Sequence, residues 1–269
     1  MNTEQRLQVL RSRGYSAERA EALVLLREAA VVLFSAFPDS FVIFGGANLI
    51  LFHGSMRHSA DLDLLSTGAE MPDSRQMAAV LEAGLKPLCQ LWGFEGPKVQ
   101  ITVSDESLKK ILVSKSDGTA LFTVDLTRMG TILAGEIEEH TFESASSSTT
   151  VTIKAASRDL LLLQKAEAFI RRRAVKVRDA YDAKLLVDGG AALGSGLQQH
   201  LDDDLRWEEF GAEQIRERIA QIDARRCQAE LANVLPEKVF NELREKDFQP
   251  LRDVFLRIFS GRLKGEFQS

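Results

Sequence analysis

Residues 60–65, Ala-Asp-Leu-Asp-Leu-Leu, alternate acid and leucine with a period of two. Successive side chains on a β-strand point to opposite faces, so this pattern predicts a strand with Asp61 and Asp63 on one face and Leu62 and Leu64 on the other. Upstream, the Pro38-Asp39-Ser40 turn leads into the short apolar run Phe41-Val42-Ile43-Phe44, which reads as a buried strand ending at Gly45-Gly46. Residues 47–52 are apolar without a β-branched run, so a helix is expected to open directly after the glycines, and His53-Gly54-Ser55 breaks it. A strand, a glycine turn, a short helix and an acidic strand in this order confine the first half to a mixed α/β core.

The same order carries chemistry. Two carboxylates on one strand face suit hard divalent cations, which take oxygen ligands and keep water and substrate phosphates. Two such ions can hold both the attacking and the leaving oxygens of a phosphoryl displacement. A Gly-Gly turn opening a helix exposes backbone N–H groups and lets phosphate approach the main chain, where the positive end of the helix dipole also lies. Arg57 and Ser59, on the loop entering the acidic strand, are candidate donors to a phosphate tail. Asp125 interrupts the apolar strand Leu121-Phe122-Thr123-Val124-Asp125-Leu126, where a carboxylate needs a compensating partner that a shared metal would supply. Each feature also has a plain reading: an acidic pair on an exposed strand, a tight glycine turn, a strand-end aspartate.

Further strands are expected at 98–103, 110–114, 120–126 and 151–153, with an amphipathic helix over 74–92 and a turn or hairpin in the Ser/Thr run 144–150. The N-terminal 4–35 reads as two helices separated near Gly14, the second starting at Ser16. Past 155 the spacing turns helical: 157–172, 176–188, 195–205, 211–221, 223–234 and 236–260. The fold class is therefore α+β, with an α/β core over 1–154 and a helical domain over 155–269.

Net charge is −5 overall, yet residues 151–184 hold nine Lys or Arg against four Asp or Glu, a local +5. That excess suits a polyanion and suits a solvated helix face equally. On helix 157–172, Lys165 and Arg172 lie two turns apart and share a face; on the next helix Asp179 and Asp182 do the same. The plain reading here is a set of surface ion pairs. Two isolated cysteines exclude a disulfide framework by number and argue against a structural zinc site, and neither His53 nor His58, which flank the acidic segment, has metal-ligand spacing. The charged N-terminus lacks the apolar core of a signal peptide and no stretch reads as a membrane span, so a cytoplasmic protein without membrane association is expected.

The segment Phe44-Gly45-Gly46 through Asp61-Leu62-Asp63-Leu64-Leu65 resembles the first motif of the polymerase-β-like nucleotidyltransferase superfamily, specifically its AbiEii/AbiGii toxin-like branch. The later motifs of that branch match Lys165, Arg172 and Arg178-Asp179-Ala180-Tyr181-Asp182, and the resemblance covers roughly residues 41–190. It implies a nucleotidyltransferase core with a mixed sheet. It also implies that Gly45 and Gly46 hold a nucleoside triphosphate, that Asp61, Asp63 and Asp125 hold Mg2+ or Mn2+, and that Lys165 and Arg172 meet the nucleotide phosphates. Asp179 or Asp182 would orient Lys165 or act near the acceptor hydroxyl. The family commonly has a polar residue after its first glycine, where this chain has Gly46. The implied activity is nucleotide transfer with release of pyrophosphate, as the toxin of a bacterial toxin–antitoxin pair, with tRNA as candidate acceptor and a cognate antitoxin as partner. Two alternatives stay open: transfer to a small molecule such as an aminoglycoside or to a protein, and a catalytically silent nucleotide-binding module. The choice among ATP, GTP, CTP and UTP has no signature in the sequence.

Overall fold

The computed structural model describes residues 3–68, 70–128, 136–147, 149–207 and 210–264. The chain forms two compact units, one of residues 1–52 and 58–156, the other of residues 53–57 and 157–269. The short segment His53–Arg57 thus belongs with the C-terminal unit, although the expected division placed it in the core.

In the first unit the order is α1 (Thr3–Ser12), α2 (Ala17–Ala36), β1 (Phe41–Ile43), α3 (Gly45–Phe52), β2 (Asp61–Ser66), α4 (Ser74–Leu91), β3 (Lys98–Ser104), β4 (Leu108–Ser114), β5 (Ala120–Arg128), β6 (Ile137–Glu143) and β7 (Thr150–Ala156). Ser16 caps α2 by accepting from the Arg19 N–H, and Asp73 caps α4 by accepting from Arg75 and Gln76. The seven strands make one mixed sheet in the order β3-β4-β5-β2-β1-β7-β6. The β5–β2 and β1–β7 pairs are parallel and the others antiparallel. Helix α2 is apolar on nearly every side and packs with α4 as part of the core, which also takes in Leu62, Leu64, Val124 and Leu126. Those four residues fix the pleat of the two central strands, because a slip of one residue would bury the acids that alternate with them.

Strand β6 is absent from the sequence-based reading. Its segment Ile-Glu-Glu-His-Thr-Phe-Glu carries three acids and lies at the sheet edge, where charge is tolerated and guards the unpaired edge. Glu28 anchors the β6–β7 turn: this buried carboxylate on α2 accepts from Ser144 Oγ, the Ala145 N–H and Ser146 Oγ.

The second unit is helical, with α5 (Arg158–Arg171), α6 (Val177–Asp188), α7 (Ser195–Trp207), α8 (Ala212–Ala220), α9 (Ala224–Leu231), α10 (Glu237–Glu245), α11 (Gln249–Ile258) and α12 (Ser260–Lys264). The single helix expected over 236–260 is broken. Asp247 and Phe248 take left-handed backbone angles (φ 48° and 54°), Phe248 is buried, and Pro250 sits in the first turn of α11. Proline suits that first turn and cannot continue a helix arriving from upstream. Helix α5 packs on α6 and α7, with Phe169 stacked on Phe255 of α11 (ring centroids 3.9 Å apart). No described helix is long and apolar enough to cross a membrane.

Candidate active site

The residues singled out in the sequence fall into two constellations, one in each unit. In the first, β2 shows the expected alternation, with Leu62 and Leu64 buried and Asp61 and Asp63 turned to the other face. The parallel register sets Asp61 beside Thr123 and Asp63 beside Asp125, so the third acid joins the same face one strand away. Thr123 Oγ1 donates to Asp61 Oδ1 at 2.8 Å.

The glycine turn is built around this face. Gly45 has φ +59°, a left-handed conformation that suits glycine, and a Cβ placed there would lie 2.0 Å from Asp63 Oδ2. The backbone at Gly45 therefore sits directly against a candidate catalytic carboxylate. Helix α3 starts at Gly45 itself, two residues earlier than expected, and Gly46 is buried in its first turn. Asn48, fully buried on α3, donates to the carbonyls of Ile43 and Ala156 and so fixes the helix start against the ends of β1 and β7. Ser59 is buried in the segment leading into β2.

One residue of this constellation escaped the sequence reading. Lys110 on β4 pairs in register with Asp125, and its ammonium donates to Asp125 Oδ2. The hydrogen bond to Asp125 raises the Lys110 pKa; partial burial opposes this, and the negative charges of Asp125, Asp61 and Asp63 add to it. Period-two alternation in Lys-Ile-Leu-Val-Ser sets Lys110 opposite the buried Ile111 and Val113, a signal that becomes readable only once β4 is known to pair with β5.

Three carboxylates and one ammonium leave this face negative, and the buried Asp125 Oδ1 has no hydrogen-bond partner. That orphaned oxygen beside Asp63 has the chemistry of a ligand to a hard divalent cation. The acids are not gathered into a tight cage, however. Among the described residues the group of three His, Cys, Asp or Glu whose ligand atoms all lie within 4.8 Å of one another is elsewhere, at Glu167, His200 and Asp204.

The second constellation is a buried ion network. Arg57 grips Asp182 with two hydrogen bonds, Nε to Oδ1 at 2.8 Å and Nη2 to Oδ2 at 2.9 Å. Lys165 Nζ lies 2.8 Å from Asp182 Oδ2 and 3.4 Å from Asp179 Oδ1, and Arg172 Nη1 donates to Asp179 Oδ2. Arg57, Lys165, Asp179 and Asp182 are all buried; Arg172 keeps 42% of its side chain exposed. Burial by itself would raise the Asp182 pKa, but Lys165 and Arg57 together outweigh it and hold the carboxyl below the ordinary range. Arg57, conversely, is held above its ordinary value: burial opposes the charged form, and the Asp182 carboxylate overcomes it. The surface ion pairs offered by the plain reading of this block are thus buried ones, and Arg57, read as a phosphate donor, spends two of its N–H groups on Asp182.

Comparison with known proteins places the chain in a family. Residues 29–258 match the model of the nucleotidyl transferase AbiEii toxin family of type IV toxin–antitoxin systems. No curated protein matches significantly. The fold is shared with JHP933 from Helicobacter pylori (TM-score 0.55, 15% identity, 90% of this chain and 91% of that one). A second Helicobacter pylori crystal structure is alike at TM-score 0.53 and 13% identity, over 91% of this chain and 96% of its own. With the match spanning both constellations, the chain belongs to the AbiEii family of nucleotidyltransferase toxins and is a nucleotidyltransferase.

Proposed function

We propose that the protein transfers a nucleotide from a nucleoside triphosphate to an acceptor hydroxyl, with Asp61, Asp63 and Asp125 holding Mg2+ or Mn2+. The observation that carries this reading is the register that puts the three carboxylates on one face, with the Gly45 backbone seated against Asp63. A divalent ion bound there would neutralise phosphate charge and favour ionisation of the attacking hydroxyl. In the transfer the acceptor hydroxyl releases its proton to solvent, its oxygen bonds to the α-phosphorus, the bond to the bridging oxygen of the β-phosphate breaks, and pyrophosphate leaves.

The chain's own groups supply position and charge, which is most of what phosphoryl chemistry asks of a protein. Gly45 and Gly46 offer main-chain N–H groups at the start of α3 for the triphosphate, with Ser59 as a further donor. Lys165 supplies the ammonium for the phosphates, with Arg172 beside it in role, and Arg57 acts by gripping Asp182. Asp182 has both oxygens engaged and a depressed pKa, so it is a poor proton acceptor and works by positioning Lys165. Asp179 positions Lys165 and Arg172 in the same way. Lys110 orients Asp125 through its hydrogen bond.

We read the acceptor as tRNA and the physiological setting as a toxin restrained by a cognate antitoxin, on the strength of the family and of the +5 excess over residues 151–184. The test incubates the purified chain and a divalent ion with each α-labelled nucleoside triphosphate and total RNA. Label in a tRNA-sized band that is lost in Asp61→Ala and Lys165→Ala supports the proposal. Label on protein or on a small molecule keeps the chemistry and discards the RNA. Nucleotide binding with no transfer to any acceptor overturns the assignment of these acids as catalytic.

A further inference from the structure

Helices α5 and α7 carry a second group of metal-ligating side chains that nucleotide transfer does not use. Glu167 on α5 faces His200 and Asp204 on α7, and their ligand atoms all lie within 4.8 Å of one another. His200 and Asp204 are four residues apart on one helix and so share a face. Arg171, one turn beyond Glu167, donates to Asp204 Oδ1 at 2.5 Å and fixes that carboxylate.

Asp204 is 8% exposed, and its other oxygen, Oδ2, is buried without a hydrogen-bond partner. A buried carboxylate oxygen left unpaired costs free energy, and it does so here with a second carboxylate nearby. Arg171 alone does not balance the pair.

His200 Nε2 lies 3.2 Å from Glu167 Oε1. That matches the edge of a tetrahedron about a zinc ion, roughly 3.3 Å for bonds of about 2.0 Å. The His200 side chain is 53% exposed, which gives an ion a way in and leaves a coordination position to water. One imidazole and two carboxylates favour Zn2+ over Mg2+, which prefers an all-oxygen octahedron.

We propose that Glu167, His200 and Asp204 form a zinc site that ties α5 to α7, with Arg171 orienting Asp204 as an outer partner. Its expected effect is to stiffen α5, the helix that also carries Lys165 two residues before Glu167. The site is separate from the acids of β2 and β5 and does not depend on their role.

The test uses the full chain freed of metal with a chelator, in an Asp61→Asn/Asp63→Asn/Asp125→Asn background that removes the three acids of the other face. Zn2+ is titrated calorimetrically, and Co2+ reports geometry through its visible absorption. One equivalent should bind at micromolar or tighter affinity, with an intense four-coordinate cobalt spectrum and a Tm several degrees higher at saturating Zn2+. His200→Ala and Glu167→Gln should each weaken binding at least about a hundredfold, more than is usual for an outer partner. Because His200 is half exposed and Glu167→Gln removes one of two crowded carboxylates, both metal-free variants should fold with a near-native circular dichroism spectrum. Zinc binding no tighter than about 0.1 mM, or an affinity in both variants unchanged from that of the parent protein, overturns the site.

Discussion

Replacing Asp182 with Asn keeps the side chain's shape and removes the charge that holds two buried cations. Asp182 is fully buried, and Arg57 and Lys165 keep only 6% and 10% of their side chains exposed. Counting Arg57, Lys165 and Arg172 against Asp179 and Asp182, the network carries three positive charges and two negative, +1 in the native chain and +2 in the variant. An amide oxygen can still accept one hydrogen bond, but one cation is left in the interior without a counter-charge. Breaking a buried pair in this way costs about 3–5 kcal/mol, more than the pair's own net contribution, because the orphaned charge stays buried. At about 2–4 °C per kcal/mol for a chain of this size, the Tm should fall by about 6–20 °C. Adding Lys165→Met to Asp182→Asn should recover about 1–3 kcal/mol relative to the sum of the single changes, since it removes one of the stranded cations. The folded-state pKa of Asp182 lies below its ordinary value, so its stabilisation is complete above about pH 4 and is lost as pH falls through the folded pKa. Urea denaturation of wild type and variant from pH 7 to pH 2.5 should therefore show a difference that is constant above about pH 5 and shrinks below about pH 4. A loss under about 1 kcal/mol at pH 7, or a gap that does not shrink in acid, would refute the reasoning: Asp182 would then not be the charged keystone of the network.

Three further outcomes can be checked. Gly45→Ala places a methyl group where Asp63 Oδ2 now lies and forces a left-handed angle on alanine, at a strain of about 1–2 kcal/mol. Displacing Asp63 by about 1 Å should lower kcat/KM for nucleotide transfer about a hundredfold with little change in the circular dichroism spectrum. Lys110→Ala removes the ammonium from a face of three acids, so Mn2+ should bind there about thirtyfold more tightly, matching about 2 kcal/mol of relieved repulsion between a divalent ion and a single charge near 4 Å in water; unchanged affinity would mean that the ion sits elsewhere. Burial pushes the Cys227 thiol up to about 12 and also raises Cys89. At pH 8 only about one Cys227 in ten thousand would be thiolate, so native protein should resist Ellman's reagent and release two equivalents on denaturation, whereas rapid native labelling would contradict the burial.

The alternation in Asp61-Leu62-Asp63-Leu64 was readable because it is local: strand geometry alone assigns the two faces, and the same holds for the helix start at the glycine turn. Helical spacing likewise placed Asp179 with Asp182 within α6, whereas Arg172, expected on the face of Lys165, is the extended C-cap just past the end of α5. Element boundaries in the second half fared less well where the backbone departs from regular angles. Nothing in the amphipathic run 236–260 announces that Asp247 and Phe248 turn left-handed, because burial of Phe248 and the fit of the following turn are tertiary matters. Edge strand β6 was hidden by its acids, which contradict strand propensity until the sheet edge is known.

By itself the sequence determined which carboxylates share a strand, which acids share a helix, and the family whose motif order they follow, since each depends only on spacing along the chain. The tertiary structure decided which of these groups meet. Strand register brought Lys110 to Asp125, the fold of the second unit drew Arg57 onto Asp182, and helix packing set His200 and Asp204 against Glu167. The physical reason is that strand pairing and helix packing join residues far apart in sequence, so neither period two nor period 3.6 carries a record of the partner.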